Sequence, residues 1–156
     1  MSTVRVEESV EIARAVGDVF TYLTNAANFP EWAGVVVDVS TDVSGPLKVG
    51  DTFTLAQKFL GRRFESRCET TASEPDRRFA YRTTGGPFPF TFDHTFEPST
   101  VGTRLTVTAE GEPGTFFGLV GPLFEKAGRR QVRNDLETLK DIMESRGQAS
   151  PSTTNT

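Results

Sequence analysis

A chain of 156 residues with 17 Lys and Arg against 21 Asp and Glu, net charge -4, suits one ordinary domain with a substantial core and excludes the concentrated basic stripe of a nucleic-acid binder. One cysteine and one histidine exclude an internal disulfide, a thiolate cage and a multi-histidine site, so no metal and no other cofactor is expected. The first residues already hold Arg5, Glu7, Glu8, Glu11, Arg14 and Asp18, which rules out a signal peptide there. No stretch approaches the roughly 18 apolar residues of a membrane span, so a cytoplasmic soluble protein is the expectation.

Val4, Val6, Val10 and Ile12 alternate with polar neighbours and predict a first strand; Val16, Val19, Phe20 and Leu23 then recur at helical spacing. That short helix begins after Arg14 and Ala15, neither of which is a good cap. Asn28-Phe29-Pro30-Glu31-Trp32 reads as a single helical turn with Pro30 near its start. A strand follows through Val35, Val36, Val37 and Val39. Gly45-Pro46 and Gly50-Asp51 then punctuate a loop before a third strand, Thr52 to Phe59.

From Arg62 to Ala109 the turns come at short, regular intervals: Gly61-Arg62, Pro75-Asp76, Gly85-Gly86 and Ser99 to Gly102. Between them one parity stays apolar: Phe64, Ser66 and Cys68, then Phe79, Tyr81 and Thr83, then Phe90, Phe92, His94 and Phe96, then Leu105, Val107 and Ala109. Strand side chains repeat every two residues, so this is one continuous face of an antiparallel meander. The last segment opens at Thr115, a candidate N-cap. It is broken or kinked at Pro122 and runs as a long helix to about Arg146, where Gly147 is a stop signal. Phe124, Val132, Leu136, Leu139 and Met143 form its apolar stripe, with Arg129, Arg130, Glu137, Lys140 and Asp141 outside. The basic runs Arg62-Arg63 and Arg129-Arg130 with Arg133 read as a turn and a solvated helix face. One domain over 1–147 and a disordered polar tail over 148–156 are expected.

Strand, two short helices, six further strands and one long C-terminal helix is the order of the helix-grip fold. The chain resembles the START-like, Bet v 1-type (SRPBCC) superfamily, in its polyketide cyclase/dehydrase and lipid transport branch, over about residues 3 to 145. The resemblance is carried by Val19-Phe20 followed by Asn28 to Trp32, by Val49-Gly50-Asp51-Thr52-Phe53 and by Pro75-Asp76-Arg77-Arg78-Phe79. Phe96-Glu97-Pro98 with Gly102-Thr103-Arg104-Leu105 completes it. It implies an α+β helix-grip fold: a curved seven-stranded antiparallel sheet wrapped around a long C-terminal helix, with two short helices after the first strand and an internal pocket. It identifies no catalytic residue, because this framework hosts carriers, cyclases, hydroxylase subunits and interaction modules.

The inward parity supplies the candidate binding surface. Leu55, Gln57 and Phe59 come from the third strand, Phe64, Ser66 and Cys68 from the fourth, and Phe79 and Tyr81 from the fifth. Phe90, Phe92, His94 and Val107 follow, with Trp32 at the rim and Phe117, Phe124 and Leu136 from the final segment. The alternation places Gln57 opposite Ser66, Cys68 opposite Thr83, Tyr81 near Thr70 and Phe90, and His94 opposite Val107. Gln57 and His94 then stand on the order of 25 Å apart along a flat sheet, and a Ser66–His94 couple is out of reach. His94 is a core or rim histidine, or a proton-transfer group. Tyr81 is a core aromatic or orients a ligand oxygen. Gln57 and Ser66 satisfy each other or orient a guest. The acids Glu65, Glu69, Asp93, Glu97 and Glu110 take the outward parity; Asp135 and Asn134 are read as a solvated helix flank.

The leading expectation is binding of a hydrophobic small molecule, lipid-like or a polycyclic aromatic metabolite, without nucleic acid or a membrane segment. A cofactor-independent cyclase or dehydratase, with Tyr81, His94 or Gln57 assisting enolisation, is the enzymatic alternative. The third reading is an interaction or dimerisation module with a collapsed cavity. In that reading a free sheet edge and the Phe88-Pro89-Phe90 loop allow a homodimer.

Overall fold

The structure, a computed structural model, describes residues 3–146 in full and the backbone of 147–154. The tail expected over 148–156 lies outside the residues described in full. β1 (Val4–Ile12) leads into α1 (Val16–Leu23), a 3-10 turn (Ala26–Asn28) and α2 (Phe29–Trp32). There follow β2 (Val36–Ser40), β3 (Thr52–Phe59), β4 (Arg62–Glu74), β5 (Arg78–Gly85), β6 (Phe90–Pro98) and β7 (Thr103–Gly111), then α3 (Gly121–Thr154). The strands form one seven-stranded sheet in the order β1-β7-β6-β5-β4-β3-β2, and every pairing is antiparallel. This is the helix-grip architecture.

Three departures from uniform pairing bend the sheet. Register shifts fall at Arg67/Cys68 and Thr70/Ala72 between β4 and β5, and at Val36/Asp38 between β2 and β3. Each inserted residue kinks its strand and increases the local twist. The concave face is then filled in two halves. α1 and α2 cover one half, with Phe20 edge-on to Phe96 at 5.2 Å and Phe29 edge-on to Phe53 at 5.8 Å. α3 covers the other through Val132, Leu136, Leu139 and Met143, all buried.

The helix starts at Gly121, so the expected break at Pro122 marks its first turn. Thr115 does not cap it. The Thr115 carbonyl instead accepts from Gly118 N at 3.1 Å in a separate turn, with positive φ at Gly114 and Gly118.

α3 is fixed on β1 by polar contacts as well as by its apolar stripe. Arg129 reaches Glu8 at 2.7 Å, Arg133 reaches the same carboxylate at 3.3 Å, and Lys140 donates to the Glu11 carbonyl at 2.8 Å. Burial works against the Glu8 charge, but the two guanidiniums hold its carboxyl below the usual glutamate range. Thus Arg129, Arg133 and Lys140, expected to be merely solvated, clamp the helix to the sheet edge. At the opposite end Arg14 donates to the Met143 carbonyl at 2.7 Å while its own carbonyl accepts from Thr103 Oγ1 at 2.8 Å. Gly102 lies against this junction at φ +148; a Cβ there would stand 2.6 Å from the carbonyls of Arg14 and Ile12. Only glycine fits that approach.

Candidate functional site

Between the sheet and α3 the filling is incomplete, leaving a cavity of about 140 Å³. One wall is a ladder of near-parallel rings on adjacent strands. Tyr81 lies over Phe92 at 5.5 Å and 15°, and Phe92 over His94 at 6.3 Å and 20°. The Tyr81↔Phe92 pairing produces the first step, because opposed residues on antiparallel strands face the same side, and Phe92 and His94, two apart on β6, share that face. A second wall is Phe59, Phe64, Phe88 and Phe124. Phe117 closes it from behind, 5.5 Å from Phe59, 5.4 Å from Phe88 and 5.3 Å from Phe124. α3 adds Gln131, Val132, Asp135 and Leu136, and the α2–β2 connection adds Trp32, Ala33 and Val35.

The polar groups on this surface have defined states. His94 is 2% exposed, and its Nδ1 lies 3.0 Å from the Phe79 carbonyl oxygen. A carbonyl only accepts, so Nδ1 carries the proton and Nε2 is left as an acceptor. Burial outweighs that hydrogen bond and pushes the imidazole pKa down to about 4. Tyr81 is raised well above its usual value, by burial first and then by Cys68 and Asp135 nearby. Both groups are neutral at pH 7. Gln57 Oε1 accepts from Ser66 Oγ at 2.6 Å, which leaves the Gln57 amide N–H donors for the cavity side.

Asp135 is the acid of the site. Its Oδ1 accepts from Gly34 N at 2.9 Å and from Gln131 Nε2 at 2.8 Å. Burial still dominates those bonds and raises its carboxyl to about 6. Trp32 Nε1 is buried without a partner among the described residues, its ring edge-on to His94 at 6.3 Å.

Of the residues expected on the surface, Trp32, Gln57, Phe59, Phe64, Tyr81, Phe90, Phe92, His94, Val107, Phe124 and Leu136 line the cavity. Leu55, Ser66 and Cys68 do not: they are fully buried in the packed part of the core. Phe79 borders a separate void of about 10 Å³ beneath His94, and Phe117 stands behind the wall.

The expected register also needs correction. The β3–β4 hairpin turns tightly through Leu60 and Gly61, at φ 51 and 80. Gln57 therefore opposes Phe64 and Leu55 opposes Ser66, and the Ser66–Gln57 bond is diagonal. Tyr81 opposes Phe92 rather than approaching Phe90. Gln57 and His94, expected at opposite ends of a flat sheet, both line the one cavity.

Asp135, read as solvated, is the main omission, and its signal was present. It falls three residues after Val132 and four before Leu139, inside the apolar stripe. Phe88 and Phe90 turn inward onto the cavity, so their rings are not the exposed loop patch considered for partner contact.

Among the described residues no group of three or more His, Cys, Asp and Glu is placed to hold a metal, and no helix is long and apolar enough to cross a membrane.

The family described as polyketide cyclase / dehydrase and lipid transport matches residues 3–144. Among solved structures, the Zhui aromatase/cyclase from Streptomyces sp. R1128 superposes with a TM-score of 0.77 at 18% identity, covering 96% of this chain and 98% of that one. A START superfamily protein from Mycobacterium smegmatis gives 0.77 at 14% identity, covering 91% and 98%. The di-domain ARO/CYC StfQ from the steffimycin biosynthetic pathway gives 0.72 at 18%, covering 94% of this chain and 52% of that one. At these identities the likeness is one of fold. No curated protein matches the chain.

Proposed function

The chain belongs to the polyketide cyclase/dehydrase and lipid transport family, and from that premise we propose that it binds a hydrophobic small molecule in the cavity between the sheet and α3. The single observation that carries the reading is an unfilled space of about 140 Å³ walled mainly by aromatic rings. A well-packed core holds few voids larger than a water molecule, and an apolar one of this order accommodates a benzene-sized guest. Burial of apolar surface supplies the affinity; Gln57, Tyr81 and His94 orient the guest. Native mass spectrometry of the purified chain, with extraction of any co-purified compound and titration with a solvatochromic dye, tests this. Saturable one-to-one dye binding is expected, and failure of any apolar probe to bind ends the proposal.

One observation favours a second, enzymatic reading. Asp135, with a carboxyl at about 6, shares the cavity with a neutral imidazole and a neutral phenol. A carboxyl titrating near neutrality can both give and take a proton, and an unprotonated His94 Nε2 can accept one. A cyclase or dehydratase working through enolisation needs those two functions and a held conformer. Turnover of a β-polyketone analogue that disappears in His94→Ala, with dye binding retained, is the result this reading requires.

A further inference from the structure

Building on the reading of the cavity as a ligand site, we infer that it selects a neutral ring compound bearing a hydroxyl, a phenol or an enol, and refuses anionic amphiphiles such as fatty acids. The wall contains no Lys or Arg and its charged side chain is Asp135; Glu110 borders it at the rim, exposed and paired with Arg5 at 3.3 Å. Of the guanidiniums flanking the cavity residues of α3, Arg129 and Arg133 are held on Glu8, and Arg130 is exposed and outside the lining. Arg62 lies over the Phe116 ring at 4.6 Å. A carboxylate or phosphate entering the cavity would shed its hydration and meet no cation, which is a large uncompensated cost.

Beside the Tyr81 hydroxyl, the unpartnered Trp32 indole N–H and the Asp135 carboxyl, two groups of the wall have roles fixed by their neighbours, one as acceptor and one as donor. The Phe79 carbonyl at 3.0 Å assigns the proton to His94 Nδ1, so Nε2 faces a guest as a lone pair, without a partner among the described residues. Ser66 holds Gln57 Oε1 at 2.6 Å, so the amide presents N–H. A guest must therefore give a hydrogen bond at His94 and accept one at Gln57. A hydroxyl on a ring, with an oxygen lone pair elsewhere, meets both; a carboxylate cannot donate at all. The Tyr81–Phe92 stack, with planes 15° apart, supplies a flat apolar face for the ring. The small polar inventory thus decides between the lipid-like and aromatic classes that apolarity alone leaves equal.

The test is isothermal titration of the full chain at pH 7 with 2-naphthol, naphthalene and 2-naphthoate. Naphthol is expected to bind about tenfold tighter than naphthalene, and naphthoate at least about a hundredfold more weakly than naphthol. Naphthoate binding as tightly as naphthol, or naphthol no tighter than naphthalene, overturns the inference while leaving a ligand cavity in place. Failure of both neutral compounds, and of the single-ring pair phenol and benzene, to bind removes the cavity reading beneath it.

Because His94 is the single histidine, its imidazole ¹⁵N resonances give a second measurement that needs no mutation. Saturation with naphthol should move Nε2 and leave Nδ1; an unmoved Nε2 overturns the assignment. Asp135→Asn, which removes one negative charge from the wall, should narrow the naphthol-to-naphthoate affinity ratio about tenfold. An unchanged ratio counts against the charge argument.

Discussion

Replacing Asp135 by Asn should raise stability at neutral pH and remove a defined part of its pH dependence. The carboxyl is lifted from 3.8 to about 6 because its half-buried position disfavours the charged form more than Gly34 N and Gln131 favour it. That gap corresponds to roughly 3 kcal/mol, and discounting for the solvent that still reaches the side chain leaves about 2 kcal/mol. The sign follows from proton binding: the folded state holds the Asp135 proton more tightly than the unfolded chain. Its stabilising share is thus complete below pH 3.8 and disappears as pH rises through about 6. Urea unfolding followed by Trp32 fluorescence at pH 4, 5, 6, 7 and 8, in the wild type and Asp135→Asn, isolates this group, since all other titrations are common to both. The wild type should lose about 2 kcal/mol relative to the variant between pH 4 and pH 8, a relative midpoint change on the order of 1 M urea. A difference between the two proteins that stays flat across this range, or one that grows in the opposite direction, would refute the reasoning.

Three further outcomes are expected. Gly102→Ala forces a Cβ to 2.6 Å from two carbonyls in a glycine-only conformation; it should cost about 3 kcal/mol or more, seen as a lowered Tm in thermal unfolding. Cys68 is 1% exposed and burial pushes its thiol up to about 12. A disulfide reagent at pH 8 should therefore modify it at the rate of global unfolding, and prompt labelling of the native chain would contradict the burial. Ala109→Phe places a ring inside the cavity that Ala109 lines. It should weaken apolar dye binding more than about tenfold while the circular dichroism spectrum is retained; undiminished binding would place the guest elsewhere.

Period-two alternation from Phe64 to Ala109 and the stripe Val132, Leu136, Leu139 and Met143 were enough to derive the elements, the meander and the face that becomes the interior. Those patterns are local: each is a repeat along the backbone whose period matches strand or helix geometry. The inward placement of Tyr81, Phe92 and His94 follows from that parity alone. What alternation cannot carry is curvature and depth. Register shifts at Arg67/Cys68 and Thr70/Ala72, and the tight turn at Leu60-Gly61, set which inward residues meet a void and which are packed. Leu55 and Cys68, of the same parity as Gln57 and Tyr81, therefore ended in solid core. The state of Asp135 was equally beyond a linear reading, since it arises where Gly34, more than one hundred positions away in the chain, and Gln131 meet the carboxylate. Periodicity along the chain assigns a side to each residue; only the bent sheet closing on α3 decides how much space and water that side retains, and with them the protonation of its polar groups.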